Sequence, residues 1–277
     1  MQTLKATLAI VTTKSPDNLH FIQWPTNNVL AFTTTRLPIS LSRKKLANPL
    51  SDAVMPQNLQ SAFDAFNLGE HVGDCPNVVA RNRKSLHAYL PKKTKIQWLE
   101  QVHGNSVVDV IKHQAKPIVA DAAITRCRHI ALAIMTADCL PILLANKDGS
   151  EIAAIHAGWR PLAGNIISST LANMCSENKD IHAWLGPCIS TTHFEVGVEV
   201  KQAFSDISST LSRFFITSGN DKFHADLVGL AIHLLEKAGV TSITHHQACT
   251  FTEHNKYYSF RRENKTGRMA SIICFNQ

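Results

Sequence analysis

The sequence has few cysteines, and their spacing excludes several classes of protein. Seven cysteines are spread over 277 residues, and no two of them form a C-x-x-C pair. An odd, scattered set does not fit a disulfide-stapled secreted scaffold, and the missing pairs do not fit a structural Cys₄ zinc module. We therefore expect a reducing, cytoplasmic setting. We expect five of the cysteines to be buried small hydrophobic side chains, namely Cys127, Cys175, Cys188, Cys249 and Cys274.

Other missing motifs narrow the chemistry. The sequence contains no G-x-G-x-x-G and no G-x-x-x-x-G-K-[ST], so dinucleotide and P-loop nucleotide binding have no support. It also contains no H-x-H pair, unlike the dense His/Cys clusters of multi-copper electron-transfer centres. No apolar run approaches the roughly 20 residues that cross a bilayer. The apolar stretch at the N-terminus lacks the flanks of a signal peptide, and we expect it to be a first strand.

The overall composition is that of a soluble globular protein, with 44% hydrophobic and 18% charged residues. We expect one domain over residues 1–277, with a loop insertion near 41–62, where prolines and polar residues replace periodic apolar positions. The net charge of +7 comes from short basic clusters without interleaved aromatics. We interpret most of them as solvated surface and expect neither a nucleic-acid nor a membrane partner. The sequence does not indicate an oligomeric state.

Hydrophobic periodicity predicts a mixture of strands and helices. A Lys147–Ser150 turn is expected to join two strands, and Gly239 is expected to end a helix that begins near Asp226. Further helices are predicted from Cys75 to about Leu90, after Pro161, and near residues 199–204, and further strands at 181–185 and 269–275. Because strands and helices do not alternate strictly, α+β with mixed sheets is the expected fold class.

Three potential metal ligands are predicted to lie at the ends of apolar strands. His103 follows the run from Ile96 to Leu99, Cys139 follows Leu132 to Met135, and His156 ends the run that begins at Ile152. Two imidazoles and a thiolate suit a zinc site with an open fourth position, as catalytic zinc requires. Asp138 strengthens this interpretation, because a carboxylate beside a buried thiol needs a partner.

Each of these residues taken alone also fits a simpler role. A lone cysteine in an apolar segment is usually inert core, and most histidines are surface or satisfied core residues. The same residues could form a closed structural zinc site with a fourth protein ligand. Alternatively, Cys139 and His156 could act as nucleophile and base without a metal.

Several longer segments carry a family resemblance. They are Gln101-Val102-His103-Gly104, Thr136-Ala137-Asp138-Cys139-Leu140-Pro141, His156-Ala157-Gly158-Trp159-Arg160, Gly186-Pro187-Cys188-Ile189, Phe194-Glu195-Val196-Gly197 and Ser259-Phe260-Arg261-Arg262, with further matches at 67–74 and 82–83. In this order they resemble the polyphenol oxidase or laccase-domain family. Its members are described as purine nucleoside phosphorylase and adenosine deaminase-type enzymes, and some as peptidoglycan editing factors. The resemblance covers about residues 30–275, nearly the whole chain.

The resemblance implies a fold, a metal and an activity. The fold is a layered α/β/β/α arrangement similar to that of cysteine-dependent toxin deamidases. The implied metal ligands are His103, Cys139 and His156, with zinc as the metal and copper as a possible substitute. The implied reactions are phosphorolysis of adenosine, inosine or methylthioadenosine and deamination of adenosine, so purine nucleosides and phosphate are the expected partners. A cysteine hydrolase that edits peptidoglycan precursors and a copper-dependent phenol oxidase are the alternatives.

The same resemblance suggests further roles in the site. Arg36 or Arg261 could neutralise a phosphate, since arginine binds phosphate oxygens bidentately. Asn67 and Gln101 are candidate hydrogen-bonding groups for the base or sugar, and Asp138 could orient a metal ligand or accept a proton. The sequence departs from the family pattern after Arg36, where Leu37-Pro38-Ile39-Ser40 replaces the usual Gly-Gly-Val-Ser, and at Pro161, where the family usually has glycine.

Overall fold

The computed structural model describes residues 18–39 and 62–276. The predicted N-terminal strand and nearly all of the predicted insertion near 41–62 lie outside these residues. The strands are β1 (Leu19–Ile22), β2 (Val29–Thr34), β3 (Lys95–Gln97), β4 (Leu99–Glu100), β5 (Val107–Asp109), β6 (Ile118–Val119), β7 (Ala122–Thr125), β8 (Ile130–Thr136), β9 (Leu140–Asn146), β10 (Ile152–Ala157), β11 (Ile181–Leu185), β12 (Glu195–Gly197), β13 (Phe215–Gly219), β14 (Lys222–Ala225), β15 (Ser242–His245) and β16 (Met269–Phe275). The helices are α1 (Pro76–Ser85), α2 (Trp159–Ala163), α3 (Ile166–Asn173), α4 (Val198–Ile207), α5 (Leu227–Lys237) and α6 (Phe260–Glu263).

Two large mixed sheets form the centre of the molecule. The first has the order β1-β2-β16-β8-β3, antiparallel except for the parallel pair β3 and β8. The second has the order β15-β11-β9-β10-β7-β5, with parallel pairs at both edges. Two smaller sheets have the orders β12-β14-β13 and β4-β6. The predicted α+β class with mixed sheets is confirmed.

The three largest hydrophobic clusters form layers around the two large sheets, which explains why the strands are so apolar. Leu132, Ile273 and Leu143 belong to a cluster that the two sheets bury between them. The outer face of the second sheet buries Ile142 and its neighbours against α3, α4 and α5, and the outer face of the first sheet packs against residues from the segments around Leu68 and Leu86. Strands buried on both faces carry continuous hydrophobic runs. The expected α/β/β/α layering is therefore confirmed.

Most predicted elements lie close to their expected bounds, and the differences have local causes. The Lys147–Ser150 turn joins β9 and β10, and the Asp226 side chain accepts a hydrogen bond from the backbone N–H of Gly229 to cap α5. The helix expected after Pro161 instead begins at Trp159 and is interrupted at Asn165, whose φ of 63° divides it into α2 and α3. A left-handed residue cannot continue a right-handed helix.

The cysteines are less uniform than expected. Cys188 and Cys274 are buried, as predicted, but Cys175 is exposed, and Cys127 and Cys249 are only partly buried. The prediction of five buried cysteines is therefore wrong for these three, because they lie outside the strands: Cys127 follows β7, Cys175 follows α3 and Cys249 follows β15. No helix within the described residues is long and apolar enough to span a membrane.

Candidate metal centre

The pairing of β9 with β10 places Cys139 beside His156. The two strands are antiparallel, with His156 opposite Pro141 and Ala157 opposite Leu140. Cys139 immediately precedes β9, at the point where the chain crosses from the first sheet, through β8, into the second sheet. The predicted position at a strand end is therefore confirmed for Cys139, and His156 is the penultimate residue of β10.

His103 reaches the same place from a loop that follows β4. Its backbone has a φ of 59°, a left-handed conformation that is uncommon for a residue with a side chain, although histidine is enriched in it. The Asp121 carboxylate holds this loop by accepting hydrogen bonds from the backbone N–H groups of Val102, His103 and Gly104 at 3.3, 3.0 and 2.6 Å. The loop conformation is thus fixed by a carboxylate from the residue before β7.

The same carboxylate orients His156. Asp121 Oδ1 lies 2.8 Å from His156 Nδ1, and both side chains are almost completely buried. With Nδ1–H donated to Asp121, His156 can bind a metal through Nε2 once that nitrogen has lost its proton, as in the carboxylate–histidine pairs that support metal ligands. Burial alone would raise the Asp121 pKa, but hydrogen bonds from His156 and Gly104 outweigh burial and hold the pKa below its ordinary value.

The three predicted ligands lie close enough to hold one metal ion. The ligand atoms of His103, Cys139 and His156 are all within 4.8 Å of one another, with His103 Nε2 4.0 Å from Cys139 Sγ. The two imidazole rings are nearly perpendicular, at 80°, with centroids 4.7 Å apart. Two nitrogens and one thiolate, with a buried carboxylate behind one imidazole, suit zinc or copper. Within residues 18–39 and 62–276 this is the one such group of three or more His, Cys, Asp and Glu side chains.

Charges in the site favour the thiolate form of Cys139, which is the form that binds metals. Burial alone would raise the Cys139 pKa, but the charge of His156 and a hydrogen bond with His103 outweigh burial and lower the pKa. Burial alone would lower the His156 pKa, but the thiolate and the Asp121 hydrogen bond raise it. Because metals bind thiolates and not thiols, the lowered Cys139 pKa favours coordination.

Glycine at position 158 makes room for this arrangement. A Cβ added there would lie 3.0 Å from Cys139 Sγ and 3.6 Å from His103 Cδ2. The Gly158 backbone itself is ordinary, with φ of −65° and ψ of 169°. The glycine is therefore required for space and not for backbone conformation.

The ligands open onto a pocket with a volume of about 170 Å³. Arg268, Phe260 and His71 contribute to its walls. The Arg268 guanidinium donates to the carbonyls of Thr266 and Gly267. Burial, together with the charge of Arg268, lowers the pKa of His71 and favours its neutral form. The pocket thus brings an arginine, a phenylalanine and a histidine together with the three ligand residues.

Of the four predicted substrate-binding residues, Gln101 alone lines this pocket. Its amide exchanges two hydrogen bonds, each of 2.8 Å, with the backbone of Met135. The Arg36 guanidinium donates to the carbonyls of Asp64 and His254 and pairs with Glu263. The role of these residues toward a substrate stays a prediction.

Asn67 is buried and Arg261 is exposed, and neither residue lines the pocket. The Asn67 side-chain oxygen accepts hydrogen bonds from the backbone N–H groups of Gly69 and Arg268, at 2.9 Å each, and so positions Arg268. The Arg261 guanidinium donates to the carbonyls of His193 and Glu195 and lies over the Phe194 ring.

Asp138 connects three segments behind Cys139. Its carboxylate accepts hydrogen bonds from the Thr250 hydroxyl at 2.6 Å, the Ser259 hydroxyl at 3.0 Å and the Arg261 backbone N–H at 2.7 Å. Its φ is 98°, so the residue adopts a costly conformation that the surrounding bonds must maintain. The predicted catalytic role of Asp138 stays a prediction beside this structural one.

Residue-level reasoning missed four members of the site: Asp121, His71, Phe260 and Arg268. Asp121 had a detectable signal, because an acidic residue stands directly before the apolar run from Ala122 to Ile124. A carboxylate at such a position needs a buried partner. His71 and Phe260 lie within segments that were already matched to the family, but nothing in their spacing pointed to the pocket. Arg268 had no sequence signal, because its place depends on the turn before β16.

Comparison with known proteins identifies relatives over most of the chain. The family described as "Multi-copper polyphenol oxidoreductase laccase" matches residues 58–276. The chain is 44% identical over 214 residues to "Purine nucleoside phosphorylase YfiH" of Shigella flexneri, a match that covers 76% of this chain and 86% of that protein. It is 39% identical over 215 residues to "Purine nucleoside phosphorylase PA4543" of Pseudomonas aeruginosa, covering 77% and 87%.

Solved structures show the same fold. The crystal structure of Neisseria meningitidis protein NMB0706 superposes with a TM-score of 0.83 at 35% identity, covering 94% of this chain and all of that one. The structure of YlmD from Geobacillus stearothermophilus gives a TM-score of 0.76 at 25% identity, covering 91% and 94%.

Proposed function

Since the chain belongs to the family described as multi-copper polyphenol oxidoreductase laccase, and its relatives are named purine nucleoside phosphorylases, we propose that it is a zinc-dependent purine nucleoside phosphorylase. Adenosine, inosine and methylthioadenosine are the proposed nucleosides, and deamination of adenosine is a proposed second reaction. The observation that carries the proposal is the pocket itself, in which His103, Cys139 and His156 face a space shared with Arg268 and Phe260.

The residues of the pocket suit phosphorolysis. In this reaction a phosphate oxygen forms a bond to C1′ of the ribose while the bond from C1′ to the purine nitrogen breaks. Arg268 supplies a partly buried positive charge for the phosphate, and the Phe260 ring supplies an apolar face for the purine or ribose. The neutral ring of His71 can exchange one hydrogen bond with the substrate.

His103, Cys139 and His156 would hold the zinc ion. Bound there, zinc supplies Lewis acidity toward an oxygen at the open position. Asp121 keeps the Nδ1 proton of His156 in place and keeps the His103 loop in its left-handed conformation. These residues therefore prepare the site before substrate enters.

Product analysis tests the proposed function. Protein of measured metal content is incubated with adenosine, with and without phosphate. We expect adenine and ribose 1-phosphate that depend on phosphate, and inosine where deamination occurs. Cys139→Ala and His156→Ala should lose zinc and both products together while the fold survives. Full turnover in a variant without zinc, or no product from zinc-loaded wild type, would refute the proposal.

Substitutions of Arg268 and Arg261 should have different effects on the phosphate KM. Because Arg268 lines the pocket and Arg261 does not, Arg268→Gln should raise the phosphate KM by roughly tenfold or more. Its nucleoside KM should change much less. Arg261→Gln is the matched control. A larger phosphate effect at Arg261 than at Arg268 would support the role that the family resemblance assigned to Arg261.

One observation favours a second candidate function, a cysteine hydrolase acting on peptidoglycan precursors. The lowered Cys139 pKa and the raised His156 pKa describe a thiolate–imidazolium pair, which is the form of an activated cysteine nucleophile. In this case metal-free protein should hydrolyse wall precursors, and a substrate should protect Cys139 from a thiol reagent. Activity that requires zinc, without such protection, would exclude this function.

A further inference from the structure

Two cysteines that the metal centre does not use lie side by side behind it. Cys188 follows β11 and Cys249 follows β15, and the two residues are paired across a parallel β-bridge. The backbone N–H of Thr250 donates to the carbonyl of Cys188 at 3.0 Å and maintains the pairing. Neighbouring strands lie about 4.7–4.9 Å apart, which is within the Cα separation of about 4.4–6.8 Å that a disulfide spans.

The two thiols differ in exposure and in their hydrogen bonds, as the two members of a peroxide-sensitive cysteine pair do. Cys249 is partly exposed, and its sulfur accepts a hydrogen bond from the backbone N–H of Ser190 at 3.3 Å. The His193 Nδ1 atom lies 3.9 Å from the same sulfur. Cys188 is buried, with 3% of its surface exposed. Oxidation-sensitive cysteines are accessible, have a stabilised thiolate and often stand next to a second cysteine that resolves the first product.

The electrostatics of the two thiols agree with this division. Burial alone would raise the Cys249 pKa, but hydrogen bonds from Ser190 and Thr252 outweigh burial and lower the pKa. Burial raises the Cys188 pKa strongly, so Cys188 stays a thiol until it reacts. Cys249 is thus the nucleophile of the pair and Cys188 its partner.

We propose that Cys249 and Cys188 form a thiol-oxidation site that hydroperoxides convert to a disulfide. The Cys249 thiolate attacks the peroxide, the O–O bond breaks, and Cys249 becomes a sulfenic acid while the departing oxygen takes a proton. The Cys188 sulfur then attacks the Cys249 sulfur and loses its proton, and the sulfenic oxygen leaves as water. The two thiols together lose two electrons, and hydrogen peroxide is reduced to two molecules of water.

This site has a direct connection to the metal centre. Thr250, next to Cys249, donates its hydroxyl proton to the Asp138 carboxylate, and Ile189, next to Cys188, donates its backbone N–H to the Asp138 carbonyl at 2.9 Å. Asp138 in turn precedes Cys139. The disulfide would therefore join the two segments that are hydrogen-bonded to Asp138. It does not involve the metal ligand Cys139 itself.

Peptide mapping after oxidation tests the proposal. Purified full-length protein of measured metal content is treated with hydrogen peroxide, alkylated and digested with trypsin. Cleavage after lysine and arginine places Cys188 in peptide 180–201, Cys249 in 238–256 and Cys139 in 129–147. We expect a cross-link between the first two peptides, lost on reduction, and an intact mass lower by two hydrogen atoms.

Variants distinguish the order of events. Cys188→Ser should accumulate a Cys249 sulfenic acid that dimedone traps, Cys249→Ser should give no cross-link, and Cys175→Ser, which removes an exposed cysteine elsewhere, should behave like wild type. A wild-type protein whose peptides 180–201 and 238–256 stay unlinked, or whose Cys139 is oxidised in preference to Cys249, would overturn the proposal. The peptide map of the wild-type protein is enough to support or overturn the proposal. The test therefore still works if the Cys188→Ser protein is unstable. The result does not depend on purine nucleoside turnover.

Discussion

At the scale of single residues, Asp121 has the widest influence on the metal centre. One buried carboxylate accepts hydrogen bonds from the backbone of three consecutive residues, Val102 to Gly104, and also orients the His156 ring. Two of the three ligands therefore share one supporting group, although they come from separate parts of the chain. A change at Asp121 should act on metal binding without removing any ligand.

We predict that Asp121→Asn lowers zinc affinity by about 10–100-fold. The carboxylate now accepts hydrogen bonds from three backbone N–H groups, and the NH₂ group of asparagine would point its own hydrogens at one or more of these donors. The hydrogen bond to His156 Nδ1 would also become weaker. Zinc affinity measured by competition with a chelator checks this. Asp109→Asn, which changes a carboxylate paired with Arg126 at the surface, is the matched control. An unchanged affinity in Asp121→Asn would mean that the ligands hold their places without this support.

A second residue-scale prediction concerns Gly158. Gly158→Ala places a methyl group 3.0 Å from Cys139 Sγ, closer than ordinary contact, while the backbone conformation suits alanine. We expect zinc affinity to fall by roughly tenfold with little loss of folding stability, since a displaced ligand costs binding energy and the surrounding core is unchanged. Gly104→Ala, whose methyl group would lie no closer than 3.4 Å to any neighbour, should have a smaller effect. Equal affinities in both variants would show that the site can relax around the methyl group.

At the scale of elements, the strands were predictable because their hydrophobic pattern is almost continuous. The bounds of β11 and β16 agree with the sequence prediction, since each is a short apolar run with polar residues beside it. The break between α2 and α3 was not predictable from the same pattern, because Leu162, Ile166 and Leu171 keep their helical spacing across it. Hydrophobic periodicity indicates which face of a helix is buried. It does not indicate that a single residue such as Asn165 adopts a left-handed conformation.

The segment between β8 and β9 is the element on which the site depends most, and Asp138 holds it in place. We predict that Asp138→Ala lowers the free energy of unfolding by about 3 kcal/mol, because it leaves donors on Thr250, Ser259 and Arg261 without their charged acceptor. Urea unfolding checks this. Asp226→Asn, at the N-cap of α5, is the control and should cost about 1 kcal/mol or less.

The conservative Asp138→Asn variant separates the structural role of Asp138 from a catalytic one. Asparagine tolerates the positive φ and keeps one acceptor oxygen, so part of the stability should return. If turnover vanishes in Asp138→Asn while stability and zinc content stay near wild type, Asp138 transfers a proton in the reaction. If turnover follows stability across both variants, its role is to hold the loop.

At the scale of the whole molecule, the site lies where the chain passes from the first large sheet to the second. Cys139 stands between a strand of the first sheet and a strand of the second, and His156 lies in the second sheet. The sequence predicted that these ligands meet, because each stands at the end of an apolar run. It could not predict the pocket wall built by Arg268 and His71, because those residues come together only when the layers pack.

Since the ligands belong to segments far apart in the chain, zinc should stabilise the whole fold. A ligand present at about 1,000 times its Kd stabilises the folded state by about 4 kcal/mol. For a chain of this size that corresponds to a rise in Tm of roughly 7 °C. We predict this rise for wild type when zinc is added after chelation, and none for Cys139→Ala. Cys175→Ala, which removes an exposed cysteine elsewhere, should retain the full shift. An equal shift in Cys139→Ala would place the stabilising zinc at some other position and would leave His103, Cys139 and His156 without their proposed metal.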